Sequence, residues 1–280
     1  MRCDSHVHVV SSHKEFAQSD GRTFLAQEAP LSKLIENGRP HGIDHFVITQ
    51  ASFYGSDNTV LLEALDALDG KGSGVITISP SIDKNELIDM KRRGASGLRV
   101  NLYSPAAKNV GEGTDDIEAI FKVAELYDFH VEVIAPLPSI IENADILGRA
   151  KVPTVIDHYG LFGDMRPKDI LGKALLELTS QDHIWMKLSS PYRLPDHPFN
   201  TVPDQEWLDA FLKVCANRCV WGSDWPHPPP HTEHKGPDVL SPWRQLSYAD
   251  LVGAFHSAVG SEVLIDKIMW ENPAKLYHFK

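Results

Sequence analysis

The chain of 280 residues has only three cysteines, Cys3, Cys215 and Cys219. Three is an odd number and none stands in C-x-x-C spacing, which excludes a disulfide framework and a zinc knuckle. Cys215 and Cys219 are four apart and could share a helix face, but both read as small buried hydrophobes. No apolar run approaches the ~20 residues that a bilayer-spanning helix needs. Positive charge is scarce, with 27 Lys and Arg against 38 Asp and Glu and a formal net charge of −11. Such a surface repels phosphate backbones, so neither nucleic acid nor membrane is expected as a partner. No apolar leader precedes Asp4, and the expectation is a cytoplasmic protein with reduced thiols. Low-complexity tracts are lacking apart from the stiff stretch Pro226–Pro230. No G-x-G-x-x-G follows the first strand-like run, which weakens a dinucleotide-binding reading.

What the chain does have is alternation. Hydrophobic residues make up 42% and charged residues 23%, ordinary for a globular protein able to bury a core without staples. Short β-branched runs ending in polar or turn residues predict eight strands: Cys3–Val10, His45–Gln50, Gly74–Ser79, Gly97–Leu102, His130–Ala135, Thr154–His158, Ile184–Leu188 and Cys219–Asp224. Helical periodicity predicts helices between them over Asn58–Asp69, Asn85–Arg93, Thr114–Tyr127, Ser139–Ala150, Asp169–Thr179 and Asp204–Ala216. A last helical region runs from Tyr248 to about Lys267. Thr114-Asp115-Asp116 has N-cap chemistry, and Ile117, Ile120, Phe121 and Ala124 form the apolar stripe behind it. Strand–helix alternation implies a parallel sheet, and eight repeats predict an α/β fold closed as a (β/α)8 TIM barrel, one domain over residues 1–280.

Polar residues gather where these strands end: His6 and His8, Gln50 and Ser52, Arg99 and Asn101, Glu132, Asp157 and His158, Lys187 and Ser189, Ser223 and Asp224. Barrel active sites form at the C-terminal mouth, and packing gives a core strand no use for charge there. His6 and His8 are two apart and face the same side of a strand. Two imidazoles so placed can bind a metal or hold a substrate oxygen. Asp224, in Val220-Trp221-Gly222-Ser223-Asp224-Trp225-Pro226, can cap a turn or act as a general base on water. First and last strands are neighbours in a closed barrel, which brings Asp224 beside His6 and His8 and favours the base. Arg99 in a strand requires an anionic partner, either Glu132 or another acid, or a substrate. Arg193 follows the seventh strand and reaches the same pocket or lies on the surface. His227 reads as a loop residue outside the ligand set.

Together these pieces resemble the amidohydrolase superfamily, in particular its amidohydrolase-related branch of pyrone-dicarboxylate and sugar-acid lactone enzymes. The matching segments are D-S-H-V-H at residue 4, Q-A-S-F-Y-G-S-D-N at 50, G-L-R-V-N at 97, V-I-D-H-Y-G at 155, K-L-S-S-P-Y-R at 187 and W-G-S-D-W-P-H-P at 221. They span nearly the whole chain in the family's order. The resemblance implies a lactone hydrolase working without metal, in which Asp224 activates water and His6, His8 and His158 orient and polarise the carbonyl. It implies that Arg99 and Arg193 bind a substrate carboxylate, with Ser52, Tyr54 and Asn101 lining the pocket. The implied partner is a small anionic lactone, and the implied state a monomer or small homo-oligomer. Two rival enzymes belong to the same superfamily. One is a zinc-dependent hydrolase or decarboxylase with the metal on His6, His8, His158 and Asp224; the other is a lactone isomerase. The strand-seven end offers Lys187 and Ser189 in place of a further histidine, and a fixed cation such as Arg99 near a divalent ion is unfavourable, whereas Glu132 could add a carboxylate ligand. The pattern departs from the family after Asn101, where Ala106 and Ala107 cannot bind an anion through their side chains and Lys108 is the available substitute.

Overall fold

The structure, a computed structural model, describes residues 1–104, 117–194, 200–230 and 233–280. Eight parallel strands form one sheet in the order β1 (Arg2–Val7), β3 (Ile43–Thr49), β4 (Gly72–Ile76), β5 (Ala95–Asn101), β6 (His130–Ile134), β7 (Thr154–Ile156), β8 (Ile184–Ser189) and β9 (Cys219–Gly222). All eight predicted strands are present, shifted by a few residues at their ends. β9 returns to β1 just beyond its own end, where the Asp224 amide donates to the His6 carbonyl at 2.9 Å and the His8 amide to the Trp225 carbonyl at 2.8 Å. Closure is tight at Gly222, where an added Cβ would stand 2.6 Å from the His6 Cβ.

Alternation along the strands sorts the interior into levels. Cys3, Val47, Val75, Val155, Trp185 and Val220 fill the lower barrel with Leu276 and Tyr277 from the C-terminal helix Asn272–Tyr277. Two residues further along three of the strands stand Thr49, Asp157 and Lys187, all buried. The apolar layer therefore supports a polar one, which points toward the mouth. β1 is out of step. Its register against β3 shifts between Asp4 and Val7, so Cys3 faces inward and yet His6, three residues on, does too. Asp4 is left facing Ser223 and the helix Tyr248–Val259.

Amphipathic helices cover the outside. Leu61, Leu62, Leu65 and Leu68 bury one side of Thr59–Leu68, and Ile117, Ile120, Phe121 and Ala124 that of Ile117–Tyr127. Thr114-Asp115-Asp116 and Lys108 lie outside the described residues. The expected helix over 139–150 is broken at Asn143 into Leu137–Glu142 and Ala144–Gly148, because the Asn143 side chain donates to the Ser139 carbonyl and ends the first piece. The last helical region breaks at Gly260, whose φ of 65° stops Tyr248–Val259. The helix Leu31–Gly38, the C-terminal helix Asn272–Tyr277 and a parallel pair of β2 (Phe24–Ala26) with β10 (Gly236–Ser241) had no counterpart in the expectation. Among the described residues no helix is long and apolar enough to cross a membrane.

Candidate active site

The ends of β1, β7, β8 and β9 meet in one buried cluster. The His6 ring centroid lies 5.1 Å from that of His8 and 4.7 Å from that of His158. His6 Nε2 and His8 Nε2 stand 3.7 and 3.1 Å from Asp224 Oδ1. The four predicted residues are therefore brought together from the ends of three strands. His158, Ser190 and Asp224 each have φ between 52° and 57°, a left-handed backbone that non-glycine residues avoid by roughly 1–2 kcal/mol. Three such residues, one after each of three successive strands, turn their side chains over the mouth.

Asp224 is held through its two oxygens differently. Oδ2 accepts from Ser190 Oγ at 2.8 Å, Tyr192 Oη at 2.7 Å and Arg193 Nε at 2.8 Å, while Oδ1 faces the two imidazoles. Burial raises its pKa, but Arg193 and the bond from His8 outweigh burial and hold the carboxyl well below the usual range. It is a fixed carboxylate with one oxygen saturated and the other turned inward. Tyr192 and Ser190 belong to the same Lys187–Arg193 segment that drew attention to Arg193. Sequence reading passed over both because hydroxyls adjacent to a cation carry no spacing signal.

The partners of each ring assign its protons. His8 Nδ1 donates to the Thr49 carbonyl at 2.7 Å, and Nε2 faces Asp224 Oδ1, so both nitrogens point at acceptors. Ser190 gives its one proton to Asp224, so at 3.0 Å from His158 Nδ1 it can only accept, with Ser189 Oγ at 2.7 Å from the same nitrogen. His158 then carries its proton on Nδ1 and offers a lone pair at Nε2. His6 Nδ1 lies 3.3 Å from the Lys187 ammonium, which donates to it, and that puts the His6 proton on Nε2. Burial first, and Lys187 second, push the His6 pKa well below its ordinary value, so the ring is neutral.

Lys187 also removes one of the alternatives for Arg99, an ion pair with Glu132. The ammonium bonds Glu132 Oε2 and lies 3.1 Å from Asp157 Oδ1, all three side chains being fully buried. Glu132 is further engaged by Tyr277 Oη at 3.1 Å. Burial works against the charge on Lys187, but Asp157 and Glu132 more than compensate and raise its pKa. Arg99 instead donates to the Gln50 carbonyl.

Among the described residues two trios could offer ligand atoms to an ion, His6–His8–Asp224 and His6–Asp157–His158. Zinc requires neutral imidazole lone pairs. His8 can supply one only by giving up the Nε2 proton it directs at Asp224, its Nδ1–H being fixed on a carbonyl. His6 cannot: its Nδ1 lone pair is taken by Lys187, and its buried Nε2, which has no hydrogen-bond partner, carries the proton. In the second trio the ammonium itself stands against Asp157 and His6. The donor set does not fit a divalent metal.

A cavity opens above this cluster, lined by His8, Phe24, Ser52, Phe53, Arg99, Asn101, Tyr103, Arg193 and Trp243 among others. Five of the predicted residues, His8, Ser52, Arg99, Asn101 and Arg193, thus border one space. Tyr54 does not line it; the neighbouring Phe53 does, while Tyr54 Oη accepts from the Ser11 amide at 3.2 Å. Asn101 Oδ1 accepts from the Tyr103 and Ser104 amides, so its side chain shapes the loop after β5. His227 lies in a loop as expected but is 3% exposed and packs edge-on against Tyr192.

Parallel strands closed into a barrel, wrapped in helices and carrying a histidine–aspartate cluster on their C-terminal ends, define an α/β-barrel of the hydrolase kind. The amidohydrolase family model matches residues 3–279, and the chain belongs to that family. It is 25% identical to a 4-sulfomuconolactone hydrolase of Rhizobium radiobacter, over 98% of this chain and 89% of that one. It is also 25% identical to a 2-pyrone-4,6-dicarboxylate hydrolase of Comamonas testosteroni, again covering 98% and 89%. A crystal structure of a probable 2-pyrone-4,6-dicarboxylic acid hydrolase from Acinetobacter baumannii, with citric acid bound, superposes with a TM-score of 0.78 at 25% identity and 99% coverage of both chains.

Proposed function

We propose that this protein is a single-domain, metal-independent hydrolase that opens an anionic lactone with water activated by Asp224. The observation that carries the reading is the division of labour on Asp224. Three donors fix one oxygen, and the other faces His6 and His8 beneath a cavity bordered by Arg99 and Arg193. The relatives named as lactone hydrolases, one of them for a dicarboxylate and one for a sulfonated ring, support the substrate class.

In this reading the lactone's anionic group lies toward Arg99 and Arg193, and its carbonyl oxygen lies at the Nε2–H groups of His6 and His8. Water stands beside Asp224 Oδ1. As its oxygen bonds to the carbonyl carbon, its proton passes to Asp224. The oxyanion is stabilised by donors already in place, each worth ~10²–10³ in rate. Collapse breaks the ring C–O bond, and the leaving oxygen takes the proton back from Asp224. His158, with its lone pair on Nε2, accepts a hydrogen bond and orients the water, so the three expected carbonyl donors become two donors and one acceptor. Such a carboxylate is a weak base, but it stays ionised far into acid, and proton transfer is coupled to attack.

Asp224→Asn keeps the shape and three of the neighbours while removing the base. It is expected to fold, by circular dichroism and urea unfolding, and to lose at least ~10³-fold in kcat on a carboxylated lactone followed by pH-stat. Wild-type turnover in that variant would sink the reading.

A further inference from the structure

Lys187 sits below the reacting groups and is not among the residues that line the cavity. The ammonium donates to Glu132 Oε2 and to His6 Nδ1 at 3.3 Å, and forms an ion pair with Asp157 Oδ1 at 3.1 Å. An ammonium donates and never accepts, so the contact with His6 has a single sense. We propose that Lys187 is a positioning residue that locks His6 in the tautomer bearing its proton on Nε2, which makes His6 a donor to the substrate carbonyl and denies it to a metal.

The alternative tautomer has no home. A proton on His6 Nδ1 would meet the ammonium, and the nearest carboxylate oxygen, Asp157 Oδ1, stands 3.6 Å away, beyond hydrogen-bond reach. The bare Nε2 lone pair would then face Asp224 Oδ1 at 3.7 Å, a lone pair against a carboxylate. Both ends of the ring favour the same proton position. Stability does not account for the cluster, because packed apolar residues in place of a buried ion network are often neutral or stabilising. Stripping such a cluster of one member is costly, so its geometry, once built, is rigid.

The same lock divides the mouth chemically. His8 answers to the Thr49 carbonyl on β3, and His158 to Ser189 and Ser190 at the end of β8, the strand that also carries Lys187, so each of the three imidazoles has its far nitrogen assigned by a different residue. Only His6 is set by a cation, and only His6 is shared by both trios able to face an ion. One lysine therefore governs both trios.

The kinetic part of the test rests on the lactone-hydrolase reading; the other two parts do not. In protein labelled with 15N-histidine, two-bond 1H–15N correlation spectra report each ring's tautomer, and His6→Gln identifies the His6 signals by their loss. The wild type is expected to show the Nε2–H form of His6, and to retain no zinc after incubation with zinc chloride and gel filtration. Lys187→Met alone leaves two buried carboxylates uncompensated, so the variant of choice is Lys187→Met with Glu132→Gln, which removes one charge of each sign. There His6 is expected to populate Nδ1–H, zinc to be retained, and kcat to fall by ~10²-fold with KM within ~3-fold. An Nδ1–H signal from His6 in the wild type, stoichiometric zinc in the wild type, or an unchanged Nε2–H signal in the folded double variant each overturns the proposal. The two wild-type measurements need no variant to fold. If no lactone is turned over while the spectra and zinc content come out as expected, the functional reading fails and the lock stands.

Discussion

Asp4 and Asp224 show how far a carboxylate's surroundings reach beyond its sequence motif. Both are fully buried, but Asp224 has a guanidinium and two hydroxyls, whereas Asp4 has neutral donors, the Ser223 amide at 2.8 Å, Tyr248 Oη at 2.8 Å and the His6 amide at 3.3 Å. Burial dominates at Asp4, and those bonds only partly offset it, so its pKa is pushed up to about 6. A carboxyl raised on folding contributes stability below its ordinary pKa and loses it as pH rises through the folded value. The shift from 3.8 to about 6 corresponds to about 3 kcal/mol at 1.36 kcal/mol per pKa unit. Asp4→Asn does not titrate. The unfolding free energy of the wild type minus that of the variant is therefore expected to drop by about 2 kcal/mol between pH 4 and pH 7, the remainder being lost already below pH 4, measured by urea unfolding at each pH. A difference independent of pH would show that Asp4 is not the strained acid described. The sequence motif singles out the two histidines that follow Asp4 but not Asp4 itself, because its outward aim comes from the register shift in β1.

The strands were readable as elements because all eight carry β-branched runs, and their order follows from strand–helix alternation. Their mouths were readable because a charged residue at a strand end has no packing reason to be there. What could not be read were contacts made across the barrel. Glu132 and Lys187 are 55 residues apart and two strands apart in the sheet order, and neither stands in a motif with the other. The short strand β2 has three residues and pairs with β10 across more than 200 positions, so it leaves no periodicity to find. Gly222 is a case where an element depends on one absent atom. A Cβ there would lie 2.6 Å from His6 Cβ and 2.8 Å from the His6 amide nitrogen, backbone and strand that cannot give way cheaply. Gly222→Ala is expected to cost about 1–3 kcal/mol, the range for overpacking, and to reduce kcat more than ~10-fold by displacing His6. Thermal unfolding and lactone kinetics on the same sample check both, and full activity in a fully stable variant would mean that β1 and β9 have slack at their closure.

At the scale of the whole molecule, net charge and site charge have opposite signs. The surface carries a net −11, while the cavity is bordered by Arg99 and Arg193. An anionic lactone approaching from solution meets the first field before the second. The first is long-ranged and screened by salt, since the Debye length shrinks from roughly 30 Å at 0.01 M to roughly 8 Å at 0.15 M. The second acts at contact in a largely buried setting and is screened much less. For an anionic lactone, kcat/KM is therefore expected to rise about two-fold over that range of sodium chloride, while an uncharged lactone shows no trend. Arg99→Met removes a cavity cation but barely changes the overall field. It is expected to raise KM for the anionic lactone by more than ~10-fold with its salt trend kept. A steep fall of kcat/KM with salt in the wild type would reverse the picture: the arginines would then be steering the substrate through solvent, and the acidic shell would lie away from its path.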